Sequence, residues 1–130
     1  MNVKEELVMK KMMLQIAGAD EKNPSLQVEV ADSFCTRLRG LMGRKSLPEG
    51  KGLLIAPCSS IHMCFMRFAI DVIYIDQDYR VLKMVYGLKP WTGLSICWKA
   101  WGVIEFQTGL NDFSNIHVGD YFKTNQRQGD

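Results

Sequence analysis

The stretch FAIDVIYIDQDYRVLKMVYG, residues 68–87, decides the fold. Two runs rich in Val, Ile and Tyr flank the turn-forming Gln77-Asp78-Tyr79, so the segment reads as a β-hairpin. Both arms carry apolar residues at odd and even positions alike, the pattern of strands covered on two faces, and both are expected to be central in a sheet. Asp71 interrupts the first arm, and a carboxylate in such a strand needs a cation or several donors.

On the C-terminal side, WGVIEFQ (101–107) is a further apolar strand with Glu105 set inside it. On the N-terminal side, GLLIAP (52–57) is a short strand bounded by Gly and Pro, and LQVEVA (26–31) places Leu26, Val28 and Val30 on one face, the period of a half-buried strand. Between these two, Asp32 or Ser33 caps a short helix through FCTRLRGLM that stops at Gly43. SIHMCFM (60–66) is read as a strand or irregular edge, LKPWTGLS (88–95) as a loop exposing Trp91, TGLNDFSNI (108–116) as one or two helical turns, and HVGDYFKT (117–124) as a closing strand after a Gly-Asp turn. Short strands with one or two short helices give an α+β, mainly β class, a compact single-domain barrel-like sheet. The domain is expected over residues 24–124, with 1–23 as a partly helical or frayed extension and 125–130 as a frayed tail.

The 130 residues suit one ordinary domain, and 47% hydrophobic with 23% charged residues is the balance of a globular chain and not of a disordered one. Sixteen basic against fourteen acidic residues leave a net charge of only +2, which argues against nucleic acid as a partner. No apolar run approaches the ~18 residues of a membrane span. In the N-terminal segment Gln15 interrupts the apolar run and Glu5 and Glu6 lie where a secretory signal is basic, so it is read as retained. The four cysteines (Cys35, Cys58, Cys64 and Cys97) lack CxxC spacing, which fits reduced thiols and a cytoplasmic location.

Several segments together resemble the uncharacterised family known as domain of unknown function 192. The carrying residues are RLRGLMGRKSL (37–47), the GLLI that follows it, IDVIYID (70–76), VIEFQTG (103–109) and IHVGD (116–120), a match spanning about residues 26–124. The resemblance implies a compact, mainly β single domain and no particular reaction. Where many members read aromatic-Trp-Met-Lys-Asn-Thr before Pro-Leu-Asp, this chain has His62 at the Trp, Met63 at the Met, Cys64 at the Lys, Phe65 at the Asn, Met66 at the Thr and Ala69 at the Pro.

Three constellations carry chemistry. Cys58, His62 and Cys64 offer ligands for zinc, with Met63 or Met66 adding softness for copper, yet the spacing matches no standard zinc motif and sulfur as core filler is the preferred reading. Cys58 with His62 as base is the corresponding thiol-enzyme alternative. The buried-strand carboxylates Asp71 and Glu105 are expected to pair with Arg37 in a structural clamp, with Arg39 and Arg44 as further cations. Trp91, Cys58, His62 and Arg44 are the candidate ligand- or partner-binding residues. The resulting expectation is a non-catalytic binding or interaction module without cofactor, contacting an unidentified protein or small molecule near Trp91 and the Cys58–His62 loop.

Overall fold

A computed structural model describes residues 10–17 and 25–125. In chain order the elements are β1 (Lys10–Ile16), β2 (Leu26–Ala31), α1 (Phe34–Arg39), β3 (Lys51–Ile55), β4 (Ser60–His62), β5 (Ile70–Ile75), β6 (Val81–Leu88), β7 (Leu94–Ile96), β8 (Gly102–Gln107) and β9 (Phe122–Asn125). Seven strands form one curled, half-barrel sheet in the order β6-β5-β8-β3-β2-β1-β9, and β4 pairs with β7 in a separate two-stranded ribbon. The class is mainly β, as the alternation and apolar runs predict.

Among the described residues only β2 and β3 are parallel neighbours, and α1 is the crossover that such a pair requires. Its start is built by a reciprocal cap: the Ser33 hydroxyl accepts from the Thr36 amide at 3.2 Å while the Thr36 hydroxyl accepts from the Ser33 amide at 3.2 Å. The helix ends at Gly40, three residues before the expected stop at Gly43, because Gly40 takes φ +48°, a conformation that glycine adopts without a Cβ penalty.

The hairpin forms, and its arms differ. β5 lies between β6 and β8 and all six of its residues are buried. β6 is the sheet edge, so Leu82, Met84 and Val85 are half covered and Tyr86 is exposed, which corrects the expectation that both arms are central. The expected extension is corrected as well. Residues 10–16 are a strand between β2 and β9, since Met12 and Leu14 alternate and bury 6% and 0% exposed side chains against Leu26 and Phe122. The other residues of the 1–23 extension and residues 126–130 of the tail lie outside the described residues. The 108–116 segment forms turns instead of helix, pinned by Phe113, whose ring meets Phe106 at 4.9 Å.

Alternation in the central strands gives the sheet two apolar faces. Leu14, Val28, Leu54, Ile73, Ile104 and Phe106 pack together on one face. Leu53, Ile55, Val72, Tyr74 and Val103 face the other way and are covered by Leu41, Leu47, Ile61, Met63 and Met66 from the connecting loops and the ribbon. Among the described residues no helix is long and apolar enough to cross a membrane.

Candidate functional site

Glu105 is the anomaly of the second face. Its neighbours across the ladders are Leu53 on β3 and Val72 on β5, and it is 4% exposed. Among the described residues no donor hydrogen-bonds its carboxyl group and no cation pairs with it. Burial pushes its pKa from 4.5 up to about 8, only partly opposed by the nearby Arg44 cation, so at neutral pH it is a carboxylic acid that both donates and accepts.

The acid opens on a narrow cleft of about 80 Å³. One wall is the end of α1 and its following turn, contributing Arg37, Arg39 and Leu41. The other is the chain from Cys58 to Met63, which leaves β3 and becomes β4. Arg37 Nη1 donates to the Pro57 carbonyl at 3.2 Å, while its Nε is buried without a hydrogen-bond partner. The expected clamp between Arg37 and a strand carboxylate is thus replaced by a tie to backbone. The ion pair that the α1 region does make is Arg44 to Glu29 on β2, at 3.3 Å, which fastens the turn after the helix to the sheet.

Asp71 is satisfied without a cation. It lies on β5 opposite Phe106, on the other face from Glu105, and its Oδ1 accepts from the Gly87 amide and the Thr108 hydroxyl, both at 2.9 Å. The register shift between Ile70 and Val72 in the β5·β6 ladder leaves the Gly87 amide for this side chain. The reading of Asp71 as an ion-pairing residue is replaced by this bulge-capping role.

Cys58 is half-buried in the cleft wall, and its thiol donates to the Ser60 carbonyl at 3.1 Å. Burial pushes the thiol pKa up; the Ser60 contact and Arg37 pull down while Glu105 adds to the rise. A protonated thiol is a poor nucleophile at neutral pH. His62 also borders the cleft but is exposed, opposite Leu94 in the ribbon. The strand breaks after His62, since Cys64 and Phe65 form a turn closed by Met66 N–H to Met63 O at 3.2 Å. The face shared by His62, Cys64 and Met66 on a continuous strand therefore does not form: Met63 and Met66 are buried, Cys64 is half-buried and His62 is outside. Among the described residues no three His, Cys, Asp or Glu side chains are grouped to hold an ion.

Trp91 is 60% exposed, takes φ +69° and packs at a tilt against Phe65, itself at φ +65°, with ring centroids 4.9 Å apart and planes 59° apart. Its amide donates to the Met63 carbonyl at 2.7 Å, and the Met63 amide donates to Gly93 O at 3.1 Å. The aromatic pair therefore grips the outer end of the same loop whose Met63 side chain lines the cleft. Arg39 and Phe65 are the residues that sequence reasoning underweighted: Arg39 was visible as the second arginine of RLRG, whereas the left-handed turn that turns Phe65 outward carries no glycine or asparagine to signal it.

Residues 14–124 match the model of the DUF192 family, described as "Uncharacterized ACR, COG1430". A UPF0127 protein of Pyrococcus horikoshii is 37% identical over 102 residues, covering 75% of this chain and 86% of that protein. One of Pyrococcus furiosus is 32% identical over 110 residues, covering 81% and 92%. Two solved structures share the fold: a candidate transcription regulator of Sinorhizobium meliloti (TM-score 0.75, 19% identity, 89% of this chain and 95% of that one) and a protein of unknown function from Novosphingobium aromaticivorans (TM-score 0.73, 18% identity, 94% and 89%). The chain belongs to DUF192, the family of the UPF0127 proteins.

Proposed function

We propose that this domain is a non-catalytic binding module that takes a small molecule into the cleft between α1 and the Cys58–His62 loop. The observation that carries the reading is Glu105. Its carboxyl group is 4% exposed, opens on the cleft and meets no donor among the described residues, so its hydrogen-bonding capacity is available to whatever enters there. The Phe65–Trp91 pair lies outside the cleft lining but is tied by the Trp91 amide to the carbonyl of Met63, a lining residue, and two aromatic residues held in left-handed backbone are strain of the kind found at binding sites. Free thiols at Cys58, Cys64 and Cys97 support a reducing compartment such as the cytoplasm.

The test is a small-fragment screen followed by amide chemical-shift mapping. The reading requires saturable shifts at residues 37–42 and 58–63, with weaker ones at Trp91. Alkylation of Cys58 in the folded protein at neutral pH, mapped by mass spectrometry, distinguishes the thiol-enzyme alternative. A rate above that of free cysteine would overturn the non-catalytic reading, because a buried, protonated thiol reacts slowly.

A further inference from the structure

Resting on that reading of the cleft, we propose that its ligand is a small organic carboxylate bearing a hydroxyl group, with the carboxylate on Arg37 and the hydroxyl on Glu105. The orientation of Arg37 is the first reason. With Nη1 held by the Pro57 carbonyl, the edge formed by Nε and Nη2 is left, and Nε is buried and lacks an acceptor. Two parallel N–H groups match the two oxygens of a carboxylate. The charge balance is the second reason: Arg37 and Arg39 bring two cations to the cleft, and the single carboxyl among its described lining residues, Glu105, is protonated at neutral pH. An anion is therefore favoured over a cation.

Arg37 and Glu105 line the same small cleft, and Ile55, Met63, Met66 and Ile70 give it a partly apolar wall. About 80 Å³ at ~10–15 Å³ per water-sized position is room for roughly five to eight non-hydrogen atoms. That is the size of a short hydroxy acid and too small for a nucleotide or sugar phosphate. A hydroxyl can donate to and accept from the neutral Glu105 carboxyl, which satisfies both of its polar functions.

Lactate, propionate and lactamide, followed by amide shift titration of the full chain, separate the contributions. Lactate is expected to bind about tenfold more tightly than lactamide, since a bidentate charge-assisted pair is lost in the amide. Propionate is expected to fall between them. Arg37→Gln should erase the preference for lactate over lactamide, Arg37→Lys should restore it in part, and Glu105→Leu should bring lactate down to the level of propionate; unchanged amide dispersion of each variant reports that it has folded. Equal affinity for lactate and lactamide at residues 37–42 and 58–63 would overturn the carboxylate assignment and leave the cleft as a binding site. A failure of all three probes, together with every fragment of the screen, to shift those residues would overturn the binding-module reading itself.

Discussion

Asp71 and Glu105 are buried to almost the same degree, 5% and 4% exposed, on neighbouring strands of one sheet, yet their chemistry is opposite. Asp71 points to the face where the edge strand bulges, and it accepts two hydrogen bonds from groups that would otherwise be unpaired. Glu105 points to the face covered by loops, where neither α1 nor the 57–69 segment brings it a donor. The same residue class in the same kind of strand is mortar on one face and an open hydrogen-bonding group on the other. Burial alone does not decide the chemistry of a strand carboxylate; whether donors reach it does.

This contrast can be broken by mutation. Asp71→Ala removes the acceptor of both the Gly87 amide and the Thr108 hydroxyl and should cost about 3 kcal/mol in urea unfolding. A loss near zero would show that the bulge holds without its carboxylate. Glu105→Gln should behave differently, through pH. The folded pKa of about 8 lies above the ordinary 4.5, so between these values the folded protein keeps a proton that the unfolded chain has released, and stability falls as pH rises. Between pH 6 and pH 8 the wild type should lose on the order of 2 kcal/mol that the Gln variant keeps. The groups around this acid are Arg37, Arg39 and Arg44 from α1 and its turn, Tyr74 from β5, Cys58 from the loop and His62 from β4; parallel slopes in the two proteins would show that Glu105 is not the source of the pH dependence.

Thr108→Val sharpens the Asp71 side of the contrast. It deletes one of two donors while keeping shape, and about 1 kcal/mol of destabilisation is expected from denaturant midpoints. Arg44→Gln has the smallest effect on stability, about 0.5 kcal/mol, because its pair with Glu29 is partly solvated. It should nevertheless raise the Glu105 titration midpoint, since Arg44 is the cation that favours the ionised form. Carboxyl carbon shifts followed against pH would read that directly, and a midpoint that moves down would contradict the placement of Arg44 beside the acid.

The strands were legible where side-chain periodicity speaks for itself. Leu26, Val28 and Val30, the apolar IDVIYI run broken by Asp71, and GVIEFQ all form strands, with Val30 half-buried, and Ser33 caps the helix as its residue type suggests. Legibility failed at β1, where the apolar run MML is short and flanked by polar residues, and the segment forms a strand between its two partners β2 and β9. It failed again after His62, where a left-handed Phe65 breaks the alternation that would have placed His62, Cys64 and Met66 together. In the site, Cys58, His62, Arg37 and Glu105 were each visible as chemically capable residues, and all four line one cleft. The roles differ from those expected, because Arg37 turns to the Pro57 carbonyl and not to a carboxylate.

By itself the sequence determined a mainly β domain, its central apolar strands, the presence of two carboxylates inside them and the kinship with DUF192, because periodicity, residue type and motif order are properties of a linear string. Only the tertiary structure decided which of those carboxylates finds donors. That depends on which loop or edge strand covers each face of the sheet, and the covering segments are 15 to 60 residues apart in the chain, as the contacts Arg44–Glu29, Gly87–Asp71, Thr108–Asp71 and Leu47–Gln107 show.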